Sequence, residues 1–157
     1  MDRDEISLRA ESPLQPDVQA LFKTGDQFYE ALYPADSNHL VTARELVDAG
    51  ADFVVMRSSG VLLGCAAIVD FHDRTPNYGE VKRLYVTDAA RGKGVGRQIM
   101  TLLMDNAIKR GLRRLRLEVG IRQSEAISLY RSLGFKDVPP FGDYQADPLS
   151  LFMELVF

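Results

Sequence analysis

The stretch Val86–Arg97, VTDAARGKGVGR, decides how the rest of the chain is read. It follows an apolar strand-like run and opens the most regular helical pattern in the chain, so its glycines fall at a strand-to-helix turn. A helix N-terminus carries about half a positive charge and several N–H groups without an intrahelical acceptor, which together favour an anion. Gly92, Gly94 and Gly96 let the backbone close around a phosphate with no Cβ in the way, and Arg91, Lys93 and Arg97 add charge beside it. Spacing excludes two common phosphate loops. Thr87 stands where a nucleoside-triphosphate loop needs its first glycine, and Gly94 where it needs Ser or Thr. Arg97 stands where a dinucleotide fingerprint begun at Gly92 needs its last glycine. The other reading of the turn is a flexible glycine-rich connection with solvated charges.

Working outward, Asn77–Val86 reads as a strand and Gly94–Arg110 as a helix, with Val95, Ile99, Leu102, Leu103 and Ala107 on one stripe and Gly111 as its stop. Arg114–Val119 alternates Leu115, Leu117 and Val119 and predicts a strand. Ser124–Leu133 predicts a helix ended by Gly134, and Leu149–Phe157 a closing strand. Upstream, Glu5–Arg9 is a short strand, Asp17–Leu32 a helix stopped by Pro34, and Thr42 caps a short helix through Ala49. Asp52–Arg57 and Val61–Phe71 form a hairpin turned at Ser58–Gly60, and Pro139–Pro148 is a loop. An early hairpin followed by strand–helix–strand units predicts a three-layer α/β protein with a mixed sheet.

A chain of 157 residues suits one domain, taken as 1–157. Its 46% apolar and 26% charged residues are ordinary for a globular protein, and a net charge of −3 argues against a nucleic-acid coat. The dense basic run from Lys109 to Arg116 straddles a predicted helix end, where cations are favourable in any case. Cys65 is the only cysteine, and His39 and His72 are the only histidines, so neither a disulfide framework nor a Cys- or His-rich metal site is expected. No run approaches the roughly 20 apolar residues that span a bilayer, and the start MDRDEISLRAES lacks a signal-peptide core; the expectation is a cytoplasmic protein with no membrane partner.

The segments EVKRLYV (80–86), RGKGVG (91–96) and AISLYRSLGF (126–135), in this order and spacing, resemble the GCN5-related N-acetyltransferase family, in particular small bacterial amine acetyltransferases. The resemblance implies an α/β/α fold with a mixed, mostly antiparallel sheet splayed in its middle, and acetyl-CoA as co-substrate with no metal. It implies that the diphosphate lies on Arg91, Gly92, Lys93, Gly94, Val95, Gly96 and Arg97, and that the pantetheine arm pairs with the backbone of Leu84, Tyr85 and Val86. Gln123 stands where many members have Asn; its amide offers similar bonds to the arm.

A protonated alkylamine, with an ordinary pKa near ~10.4, is not a nucleophile, so the acceptor must lose a proton, and the departing thiolate benefits from an acid. The resemblance places Tyr130 as that acid; the other reading is a tyrosine packed on the sheet. Glu118 is the first base candidate, since the alternation of its strand turns it away from the face of Leu115 and Leu117. Pairing with Arg116 or Arg83 is the structural alternative. Glu80 is the second base candidate, and Cys65, in an apolar strand without a neighbouring histidine, reads as packing rather than as a nucleophile. Tyr33 and Tyr144 are the acceptor-side candidates, aromatic groups suited to a small organic amine. The acceptor is then an amine of a small molecule or peptide, and a homodimer is left open. The competing functions are a non-catalytic acyl-CoA-binding module and an acetyltransferase of protein N-termini or ribosomal proteins.

Overall fold

In DFVVMRS and VLLGCAAIVDF the apolar residues run on rather than alternate, which is the pattern of strands covered on both faces. The computed structural model, which describes residues 5–157, shows that arrangement. The first four residues of the domain assignment, and with them the start of the segment read for a signal peptide, lie outside the described residues. In chain order the elements are β1 (Ile6–Ala10), α1 (Pro16–Leu32), α2 (Ala43–Asp48), β2 (Asp52–Ser58), β3 (Val61–Phe71), β4 (Tyr78–Val86), α3 (Val95–Lys109), β5 (Arg114–Gly120), α4 (Ser124–Ser132), β6 (Lys136–Val138) and β7 (Ser150–Val156). The strands form one sheet in the order β1-β2-β3-β4-β5-β7-β6, antiparallel except for β4 and β5. Among the described residues no helix is long and apolar enough to cross a membrane.

The alternation within β2 and β3 divides the core in two. Val54, Met56, Ala66 and Ile68 face α3 with Ile99, Met100 and Leu103, whereas Phe53, Val55, Cys65 and Ala67 face α1 and α2 with Val18, Phe22 and Leu46. The predicted three layers are therefore observed. Local signals hold the elements in place: Pro16 opens α1, and Thr42 and Glu45 form a reciprocal capping box on α2. Ser59 and Gly60 take φ values of 47° and 82°, the left-handed pair that a tight hairpin needs. The short edge strand β6 was not foreseen; three residues, KDV, are too few to show a period.

Two irregularities in β4 shape the site. Its ladder with parallel β5 holds only at Gly79–Leu115 and Glu80–Arg116, after which the strands part. Between the pairs Lys82–Ala67 and Tyr85–Cys65, two β4 residues face the single β3 residue Ala66, a β-bulge with Arg83 at φ 57°. The extra residue resets the alternation. Leu84 and Val86 pack on the α3 face with Val81, while Lys82, Arg83 and Tyr85 lie on the opposite face, Lys82 reaching Tyr144 and the other two the α1–α2 side. Arg83 is held there by Val41 O at 2.8 Å, by the carboxylate of Asp26, and by the ring of Phe22 at 4.6 Å. A non-glycine residue in this region of φ persists only where its surroundings over-determine it.

Candidate active site

The parting of β4 from β5 leaves the outer edge of Leu84–Val86 unpaired, while its other edge stays bonded to β3. At the end of that edge the chain turns into α3. Gly92 and Gly94 adopt φ of 75° and 76°, with nothing within 4 Å of where a Cβ would stand. Gly94 is the N-cap of α3 and offers no side-chain cap, and the N–H groups from Gly92 to Arg97 find no acceptor among the described residues. The result is a set of free donors at a helix N-terminus, opening on a cleft of about 740 Å³ lined by Leu84, Val86, Arg91, Arg97 and Gln123 among others. Lys93 has no ion pair among the described residues. Arg91 spends part of its charge on Asp88 at 3.3 Å, and Arg97 donates to Ser132 Oγ on α4 at 2.5 Å.

A narrower pocket of about 90 Å³ continues from this cleft into the gap between the strands; Tyr29, Leu84 and Gln123 line both. The pocket holds Glu118, Tyr130, Tyr33, Lys82 and His39 in its walls. As its alternation predicts, Glu118 points away from the Leu115–Leu117 face. It does not pair with Arg116 or Arg83, which bind Glu154 and Asp26 instead. Its partner is the buried Ser150 of β7, whose hydroxyl donates to Glu118 Oε1 at 2.8 Å. Burial pushes the Glu118 carboxyl above the usual glutamate range, opposed by the Ser150 bond and by the charges of His39 and Lys82. Tyr130 is buried against Phe135, and burial, then Tyr29 and Glu118, raise its phenol well above the ordinary range, so it keeps its proton at neutral pH. Tyr29, at the junction, is pushed up to about 12, chiefly by burial.

The two tyrosines expected on the acceptor side, Tyr33 and Tyr144, line different cavities. Tyr33 closes over Gly120, where any Cβ would sit 2.1 Å from its hydroxyl, and that hydroxyl accepts the Arg122 N–H at 3.1 Å. Tyr144 lies in a third cavity of about 580 Å³, beneath the loop from Pro139 to Leu149, together with Glu80. Its hydroxyl donates to Glu80 Oε1 at 2.5 Å and accepts from Lys82 Nζ at 2.6 Å. Glu80 and Glu118 thus occupy separate walls, with His39 shared between the third cavity and the gap. Cys65 is buried in the α1 face, and its thiol is pushed up to about 12 by burial, as suits packing. The Lys109–Arg116 run is largely consumed in ion pairs: Arg110 with Asp52 and Asp70, and Arg114 and Arg116 with Glu154. Among the described residues no group of three or more His, Cys, Asp or Glu side chains could hold a metal ion.

His39, Lys82 and Ser150 went unrecognised as site residues in the sequence. His39 is a lone histidine between two helices, Lys82 lines the gap through a strand register that no short motif marks, and Ser150 meets Glu118 only through the β5–β7 register.

Residues 18–135 match the acetyltransferase (GNAT) family. The chain belongs to that family. It is 45% identical over 149 residues to a protein of Azospirillum brasilense named IAA acetyltransferase, covering 95% of this chain and 96% of that one. A Bacillus subtilis N-acetyltransferase of uncharacterised activity, YsnE, is 34% identical over 122 residues, 76% of this chain and 79% of that one. Among solved structures, a Klebsiella pneumoniae protein provisionally named an acyl-CoA N-acyltransferase superposes with a TM-score of 0.77 at 31% identity, covering 95% of each chain. The PaiA N-acetyltransferase of Thermoplasma acidophilum, solved in complex with coenzyme A, superposes at 0.75 with 18% identity over 98% of this chain and 99% of that one, which bears on the fold alone. This acetyltransferase therefore has the α/β fold with the parted central strands that its sequence resemblance implies, and it is an acyltransferase.

Proposed function

We propose that the protein transfers the acetyl group of acetyl-CoA to a primary amine of a small molecule or peptide, with both bound together in the gap between β4 and β5. The observation that carries this reading is the continuity of the free-donor cleft at Gly92–Arg97 with the pocket that holds Glu118 and Tyr130. Acetyl-CoA fits the residues present: the unpaired N–H groups suit its diphosphate, Gly92 and Gly94 leave the approach open, and the bare edge of Leu84–Val86 suits its amide-bearing arm. Arg91, Lys93 and Arg97 supply charge, and Gln123, whose side chain makes no hydrogen bond among the described residues, is free to bond the arm. Bound there, acetyl-CoA supplies an acetyl thioester activated toward a neutral amine.

Glu118 Oε1 and Oε2 are the proton acceptors for the ammonium of the acceptor. A buried carboxylate with a raised pKa takes that proton more readily than an exposed one. Tyr130 holds its proton on Oη and gives it up on the leaving-group side of the gap. Each of these groups contributes on the order of 10²–10⁴-fold, and positioning in the gap supplies much of the rest. Glu80 is not placed as the base, since its carboxylate is engaged by Tyr144 and Lys82 outside the gap.

The test is release of free thiol from acetyl-CoA across a panel of amines, amino acids and N-terminal peptides, together with calorimetry of coenzyme A binding. Gly94→Val places a β-branched side chain at φ 76° in the mouth of the cleft, and it is expected to weaken coenzyme A at least about 10-fold. Unaltered affinity in a folded variant would remove the loop from the site, and the absence of amine-dependent thiol release would leave a binding module.

A further inference from the structure

Glu80 is buried, with 6% of its side chain exposed, yet both of its polar contacts fall on one oxygen. Oε1 accepts the Tyr144 hydroxyl at 2.5 Å and lies 3.2 Å from Lys82 Nζ, while Oε2 accepts no hydrogen bond among the described residues. Oε2 is therefore open to the cavity that Glu80 lines, with its acceptor capacity unused by the protein. Glu80 lines the third cavity, whose walls include the rings of Phe71, Tyr78 and Tyr144, with Phe71 stacked on Tyr78 at 5.0 Å. Asp36, Glu80, Asp143 and Asp147 line it with Arg74, while Lys82 reaches Tyr144 and Arg116 lies 4.7 Å over the Tyr78 ring, already paired with Glu154. Arg74 is turned toward the exposed Asp143 at 3.5 Å, and Asp147 is held by Ser37 and the Leu149 N–H. An open carboxylate oxygen on an otherwise buried side chain, in a cavity lined mostly by acidic and aromatic groups, favours an organic cation with N–H donors.

The cavity also adjoins the gap. His39 lines both, its ring meeting Tyr144 edge-on at 4.9 Å, and Glu80 and Lys82 project from the same face of β4 into the two spaces. We propose that this cavity is a second cation subsite, and that the preferred acceptor carries two basic nitrogens: one is acetylated in the gap beside Glu118, and the other stays protonated on Glu80 Oε2. Glu80 then acts in specificity rather than in proton transfer. This inference rests on the amine-acetylation reading above, and the experiment separates the two.

Thiol release is measured with a series of α,ω-diaminoalkanes and with the n-alkylamines of equal length. A charge-assisted bond in a buried site corresponds to roughly 10–100-fold, so kcat/KM for the best diamine is expected to exceed that of its matched monoamine by about that factor. In Glu80→Gln the ratio is expected to fall toward one. As a second measurement on the unaltered protein, alkylguanidinium ions, which keep their charge and N–H donors and are not nucleophilic, are expected to compete with the amine, and the alcohols of equal length are not. Equal kcat/KM for diamines and monoamines, a ratio unchanged in Glu80→Gln, or equal inhibition by cation and alcohol would each overturn the subsite while leaving acetyl transfer intact. Failure of every amine would overturn both.

Discussion

Ser150→Ala removes a single hydroxyl and tests the proposal that Glu118 is the base. Ser150 Oγ donates to Glu118 Oε1 at 2.8 Å, from a buried serine to a half-buried carboxylate that lines the gap. The bond favours the carboxylate and opposes the effect of burial, which favours the acid. Deleting it therefore moves the Glu118 pKa further upward. The base must be deprotonated to accept the ammonium proton, so the acid limb of the pH profile moves to higher pH. A hydrogen bond to a charged group is worth about 1.5–3 kcal/mol, and the lower figure, suited to a site that water can re-enter, corresponds to about 10-fold in kcat/KM along that limb. The plateau above the limb is expected to change far less, because the carboxylate formed there is the more basic one. The assay is thiol release at saturating acetyl-CoA with limiting amine, followed across pH in the parent and the variant, with thermal unfolding as a control. An acid limb that stays in place, in a folded variant, would refute Glu118 as the group the profile reports.

Two further outcomes follow from the same pocket. Tyr130→Phe keeps the ring packing against Phe135 but removes the proton, and turnover is expected to fall about 10²-fold while the affinity for acetyl-CoA measured by calorimetry changes little; wild-type turnover would exclude Tyr130 from proton transfer. Glu118→Gln is expected to abolish most activity and yet raise the melting temperature at neutral pH. With its pKa raised in the folded state, Glu118 binds more protons folded than unfolded, so its contribution to stability declines as pH rises from the ordinary glutamate pKa through the raised one; the amide has no such loss. The gain should vanish in acid, and thermal unfolding at several pH values checks it.

Much of this site was legible along the chain. The glycines at 92 and 94 mark a turn with left-handed backbone and free donors whatever surrounds them, because φ above zero and missing Cβ atoms are local properties, whereas Gly96 is helical and faces Leu129. The alternation of Leu115, Leu117 and Val119 likewise settles the side on which Glu118 lies. The apolar runs of β2 and β3 announced a sheet covered on both faces, and the helix periods placed the covering layers.

What the linear order could not show is which polar groups meet. The choice between Glu118 and Glu80 turns on cavity walls built from segments far apart in sequence, and on Tyr144 reaching Glu80 across 64 positions of sequence. Ser150 reaches Glu118 only through the antiparallel register of β5 and β7. The bulge at Arg83 arises from contacts with Asp26, Val41 and Phe22 that no local pattern encodes, and it alone puts Lys82 and Arg83 on the same side. Backbone conformation and facing are set by neighbours along the chain, so they can be read there. The pKa of a carboxylate and the partner of a hydroxyl depend on burial and on atoms within a few ångströms, and those exist only once the strands have paired and then parted.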